Sequence, residues 1–138
     1  MKNGIIITLL TWAAFSAIAQ AKQEPMQEPQ TTTNSFATQP LDSKQLAELL
    51  AQEDPNTYLI DVRTAEEYRS GAIPTAVNIP FDVIENNLPT QDRSARIVVY
   101  CRSGSRSSIA KAKLEALGFT SVNNFGGVYN WKGELIVR

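Results

Sequence analysis

The stretch ARIVVYCRSGSRSSIAKAKLEALG, Ala95 to Gly118, decides the fold. Its first part, Ala95 to Cys101, is a short apolar run rich in β-branched residues. It lacks polar/apolar alternation, which suits a strand buried on both faces. From Ser105 the pattern turns helical. Ile109, Ala110, Leu114, Ala116 and Leu117 fall on one broad arc, Lys111 and Glu115 fall opposite, and Gly118 closes the helix. Only a tight loop fits between strand and helix. Such a junction aims several free backbone N–H groups at one point, and the helix N-terminus adds roughly half a positive charge there. Cys101 sits at that point.

Working outward, the same alternation of helices and strands continues over Leu41 to Arg138. Asp42 and Gln45 have the spacing of a capping box, with Leu41 and Leu46 as its hydrophobic staple. TYLIDVR (57–63) reads as a buried strand. Thr64, Glu67 and Gly71 mark the start and end of a short helix. AVNIP (76–80) is a brief strand stopped by Pro80, FDVIENNL (81–88) a helical turn or two, and SVNNF (121–125) a last strand. GGVYNWKG (126–133) turns into a final helical segment. Strands separated by helices predict an α/β fold with a mostly parallel central sheet and helices on both faces. Ligands of such sheets bind beyond the carboxyl ends of the strands.

The chemistry available is narrow. The chain has no histidine and one cysteine. Cys–His dyads, Ser–His–Asp triads, histidine metal sites, multi-thiolate zinc sites and internal disulfides are all excluded. Lys and Arg number 13 against 14 Asp and Glu, so no basic face for nucleic acid is expected. Arg102 and Arg106 bring forked donors suited to oxyanions. Gly104 frees the backbone, and Ser103, Ser105 and Ser107 are too small to block the loop. Here a thiol should ionise below its ordinary ~8.5, in the range of roughly 3.5–7.5 typical of activated cysteines. Cys101 is then a thiolate nucleophile, and the alternative is a buried structural cysteine.

CRSGSR (101–106) followed by Ser107 resembles the active-site loop of the rhodanese family, Cys-Arg-x-Gly-x-Arg with a following Ser or Thr. DVRTAEEYRSGAIPTAVNIP (61–80) is similar to that family's second signature, and NFGGVYNW (124–131) to its Gly-Gly-x-x-x-Trp element. The resemblance spans Leu41 to Leu135. It departs at Ala72, where the family has His, and at Thr75, where it has Gly.

This resemblance implies a single-domain thiosulfate sulfurtransferase with a rhodanese-like fold. Cys101 would take the outer sulfur of thiosulfate as a persulfide, then pass it to cyanide or another thiophilic acceptor. Arg102, Ser103, Gly104, Ser105, Arg106 and Ser107 would bind the donor, with both arginines on its sulfonate oxygens. Neither metal nor organic cofactor is implied. Asp61 and Arg63 end the TYLIDVR strand near the same sheet edge and are expected in support as a fold-stabilising ion pair that Glu67 can share, in preference to direct substrate contact; Tyr129 and Trp131 are expected in the core. Two rivals are a Cys-x5-Arg phosphatase, disfavoured because four residues, not five, separate Cys101 from Arg106 and Ser stands at position 107, and a non-enzymatic sulfur-carrying or peptide-binding module, disfavoured by the intact loop.

Ahead of the domain, Lys2 and the apolar run Gly4 to Ala19 read as a signal peptide over residues 1–21. Ala17–Ala19 and Ala19–Ala21 both offer a cleavage site. The run is shorter than the ~20 residues of a spanning helix, so no membrane span is expected after cleavage. Residues 22–40, rich in Gln, Thr and Pro, read as a flexible linker. The expected product is a periplasmic or secreted monomer whose activity resides in residues 41–138.

Overall fold

The computed structural model describes residues 34–138. The expected signal peptide and the linker up to residue 33 lie outside the described residues. The strands are β1 (Thr57–Asp61), β2 (Val77–Asn78), β3 (Arg96–Cys101) and β4 (Val122–Gly127), and the helices are α1 (Ser35–Thr38), α2 (Ser43–Ala51), α3 (Ala65–Ser70) and α4 (Ser105–Ala116). All strand pairs are parallel, in the order β2-β1-β3-β4. The chain therefore runs outward to β2 on one side and to β4 on the other. The order reverses between β1 and β3, the place where α/β sheets hold ligands.

Period-two side-chain alternation divides the core in two. Ile97, Val99 and Cys101 of β3 pack with Ile60, Val122 and the α4 residues Ala110 and Leu114. Val98 and Tyr100 point the other way, toward Leu46 and Leu49 of α2, with Tyr68 of α3 alongside. Helices thus cover both faces. Both expected capping boxes form, Asp42 with Gln45 and Thr64 with Glu67, which fixes where α2 and α3 begin.

Three expectations need correction. The buried stripe of α4 is Ser107, Ala110 and Leu114, whereas Ile109 and Leu117 are exposed. The helix turns its small and polar start toward the loop rather than its most apolar arc inward. Lys111 is half-buried: its Nζ donates to the carbonyls of Ala37 and Val122 as well as to Glu115. The third correction concerns residues 34–40, expected within the linker, which fold against β4. Asn34 donates to Ser121 Oγ at 2.7 Å, and Asn123 donates to the carbonyls of Phe36 and Gln39 at 2.6 and 2.7 Å. Removing the segment costs the buried Asn123 amide two hydrogen bonds, a loss of roughly 1–3 kcal/mol at about 0.5–1.5 kcal/mol each. A chain starting at residue 41 is therefore expected to unfold at lower urea than one starting at residue 34; equal midpoints would show the segment to be dispensable.

The two departures from the family pattern have different consequences. Ala72 is fully buried, and its N–H and C=O pair with Ile136 at 3.0 and 2.8 Å, so packing closes without an imidazole. Thr75 has φ 68°, a left-handed conformation that a β-branched residue adopts only under strain. Thr75→Gly is expected to stabilise the fold by about 1 kcal/mol, relief of roughly 1–2 kcal/mol being offset in part by the entropy of glycine in the unfolded chain. Thermal denaturation should show a rise of about 4–8 °C; a fall would mean that contacts of the threonine outweigh its strain.

Candidate active site

Cys101 is the last residue of β3, 1% exposed, with its side chain on the α4 side of the sheet. Three residues later Gly104 takes φ 104° and caps α4, so the chain reverses at once. The loop can lie this low because β4 ends in two glycines. A Cβ on Gly127 would stand 2.6 Å from the Arg102 carbonyl oxygen, and Gly126 takes φ 91°, where a Cβ would lie 3.0 Å from Asn130 Nδ2. A bulge where Tyr100 pairs with Gly126 brings both glycines under the loop.

The result is a sulfur facing donors. The Gly104 N–H points at Sγ from 2.9 Å, and the Ser107 hydroxyl lies 3.4 Å away. Burial pushes the thiol pKa up. The Ser107 hydroxyl and the amides of Ser107, Gly104 and Ser103 outweigh it, so the thiol lies below its ordinary value. Hydrogen bonds to the charged form accomplish this, as the loop pattern predicts.

The arginines divide their work. Arg102 is exposed with Ser103 and Ser105 at the rim. Arg106 is not free: its Nη1 and Nη2 grip the two oxygens of Glu67 at 2.7 and 2.8 Å. That fork, helped by the Thr64 backbone and hydroxyl, holds Glu67 at about 2 against the effect of its burial. The clamp therefore persists at any ordinary pH. The expectation of two unpaired arginine charges is thus corrected, because α3 supplies a counterion that neutralises one. Glu67 was legible as a cap, and nothing in its spacing announced the second partner.

Asp61 and Arg63 form the expected ion pair, without Glu67. Arg63 Nε reaches both Asp61 oxygens at 2.9 and 3.1 Å, Nη2 reaches Oδ2 at 2.6 Å, and Nη2 also donates to the Gly71 carbonyl. Both residues are buried. Tyr100, adjacent to Cys101, joins them. Its hydroxyl donates to Asp61 Oδ2 at 2.9 Å and accepts from the Ile73 N–H. Burial first, then the Asp61 charge, raises its pKa well above the ordinary phenol value. The pair supports the β3 end from behind. Trp131 is partly buried against the second core, as expected, but Tyr129 is 67% exposed. It follows the end of β4, beyond the reach of the sheet. Among the described residues no cluster of three or more His, Cys, Asp or Glu is placed to hold a metal ion.

The family model described as Rhodanese-like domain matches residues 42–134. The chain belongs to the rhodanese family. Its rhodanese domain is 36% identical over 92 residues to a sulfurtransferase of Allochromatium vinosum, covering 66% of this chain and 85% of that one. It is 37% identical over 71 residues to a thiosulfate sulfurtransferase of Escherichia coli, covering 50% and 68% of the two chains. Among solved structures, a rhodanese-like domain protein from Staphylococcus aureus superposes with a TM-score of 0.62 at 33% identity, over 72% of this chain and 98% of that one. The protein is a rhodanese-like, single-domain sulfurtransferase with one buried cysteine.

Proposed function

We propose that this rhodanese domain carries sulfane sulfur from thiosulfate to a thiophilic acceptor by way of a persulfide on Cys101. The observation that carries the reading is the sulfur at the foot of α4, with an amide N–H at 2.9 Å and the Ser107 hydroxyl beyond it. The thiolate attacks the outer sulfur of thiosulfate. A sulfur–sulfur bond forms to Cys101 while the bond to the sulfonate breaks, and sulfite leaves with that electron pair. Donors already aimed at Sγ can then hold the charged outer sulfur, in the manner of an oxyanion hole. Cyanide, or another thiophile, attacks that outer sulfur and restores the thiolate. A sulfur so enclosed suits a donor that offers a single terminal atom. Residues 102–107 form the binding loop.

Of the two loop arginines, Arg106 is occupied by Glu67, which leaves Arg102 to meet the sulfonate. Arg102→Ala should lower thiosulfate kcat/KM by about 10–150-fold, the equivalent of one hydrogen bond to a charged group at roughly 1.5–3 kcal/mol. A change below threefold would remove Arg102 from donor binding. Thiosulfate remains the preferred donor over 3-mercaptopyruvate, whose single carboxylate makes less use of the positive rim. The E. coli relative, by its name a thiosulfate sulfurtransferase, supports the same choice.

The same proposal places the protein outside the cytoplasm as a monomer, without nucleic-acid or membrane partners. Its support is the apolar run of residues 4–19 after Lys2 and the balanced charge of the chain. A single-turnover experiment tests the function. Without acceptor, thiosulfate should release one equivalent of sulfite per protein, and added cyanide should then yield one equivalent of thiocyanate. Absence of the sulfite burst would refute the reading.

A further inference from the structure

The Gly104 carbonyl oxygen lies within reach of three donors. These are the Ser108 N–H at 3.0 Å, the Ser108 hydroxyl at 2.9 Å and the Ser107 hydroxyl at 3.0 Å. A carbonyl has two lone pairs, and Ser108 alone fills both. The Ser107 hydroxyl has one proton and two further acceptors, Cys101 Sγ and the Gly126 carbonyl, each at 3.4 Å. With Gly104 occupied, its proton goes to one of these, and a thiolate outbids a neutral carbonyl.

What holds Ser108 on the Gly104 carbonyl is Asn124 of β4. Its Nδ2, 2.9 Å from Ser108 Oγ, can only donate. The Ser108 proton must therefore point away from it, toward the carbonyl. The amide of Asn124 cannot flip, because its Oδ1 accepts the Gly126 N–H at 2.9 Å, and a backbone donor does not rotate. A fixed direction thus runs from Gly126 through Asn124, Ser108 and Gly104 to Ser107. We propose that Asn124, acting through Ser108, is a positioning residue that turns the Ser107 proton onto Cys101 Sγ.

The proposal rests on Cys101 being the working thiolate, but not on the donor or acceptor. Charged groups near the sulfur are Arg102 on the loop, Arg106 on α4, Glu67 on α3, Asp61 at the end of β1 and Arg63 just beyond it; none of them is altered by the variants below. Ultraviolet absorbance of the thiolate, followed against pH with Cys101→Ser as blank, reads the one cysteine directly and requires no turnover. Ser108→Ala and Asn124→Ala should each raise the midpoint by about one unit, in line with a weakened hydrogen bond to a charged group. The double variant should match either single one, and Ser108→Thr, which keeps the hydroxyl, should match the parent. Ser108 is exposed and alanine favours a helix, so this variant folds. An unmoved midpoint in Ser108→Ala or in Asn124→Ala, or additive shifts in the double variant, would overturn the proposal. Failure of the sulfite burst with these midpoint shifts intact would count against the proposed function alone.

Discussion

Cys101→Ser is expected to abolish sulfur transfer, to below about one part in a thousand of the parent rate, while leaving the fold intact. Loss of a nucleophile costs that much or more in enzymes that act through one. Serine nearly matches the shape of cysteine, and its oxygen can accept from the same Gly104 N–H and Ser107 hydroxyl that face the sulfur. No buried donor is orphaned, so stability should change by less than about 1 kcal/mol. The hydroxyl is not ionised near neutral pH and cannot hold a persulfide. With one cysteine in the chain, no second thiol can substitute. Residual turnover above background in a well-folded Cys101→Ser protein would remove Cys101 from the mechanism.

Asp61→Ala should act on the fold instead, with a loss of about 3–5 kcal/mol. It leaves the buried Arg63 guanidinium without its counterion, and breaking a buried pair from one side costs about that much. The Tyr100 hydroxyl loses its acceptor in the same step. Thermal unfolding should fall by at least about 12 °C at roughly 4 °C per kcal/mol. Replacing both partners by apolar residues, Asp61→Leu with Arg63→Met, should recover much of the loss, because no uncompensated charge then remains. A single-variant loss below 1 kcal/mol would mean that water reaches Arg63 and that the pair does not support the β3 end.

How far the sequence could be read depended on the range of the interaction. Cys101, Gly104 and the start of α4 are neighbours in the chain, so the strand, loop and helix pattern placed them correctly. Both capping boxes are equally local. The clamp of Glu67 on Arg106 joins residues 39 apart, and no local rule selects that partner from the chain's other carboxylates. Composition misled at residues 34–40. A polar segment can dock through its backbone carbonyls, and the asparagine that receives them, Asn123, lies far along the chain on β4. Hydrophobicity alone predicts an apolar arc on α4 that includes Ile109 and Leu117. Its orientation is set by the loop, which needs Ser107 inside and leaves Ile109 to solvent. Thr75 shows the reverse case: its strain is visible only in the backbone angle, and that angle explains why the family pattern has glycine there.

The most direct measurement is the mass of the intact protein after exposure to thiosulfate and removal of excess reagent. The account predicts a gain of one sulfur atom, located on the peptide that contains Cys101, lost on addition of cyanide and absent from Cys101→Ser. No gain in the folded parent protein, or an equal gain in Cys101→Ser, would contradict it.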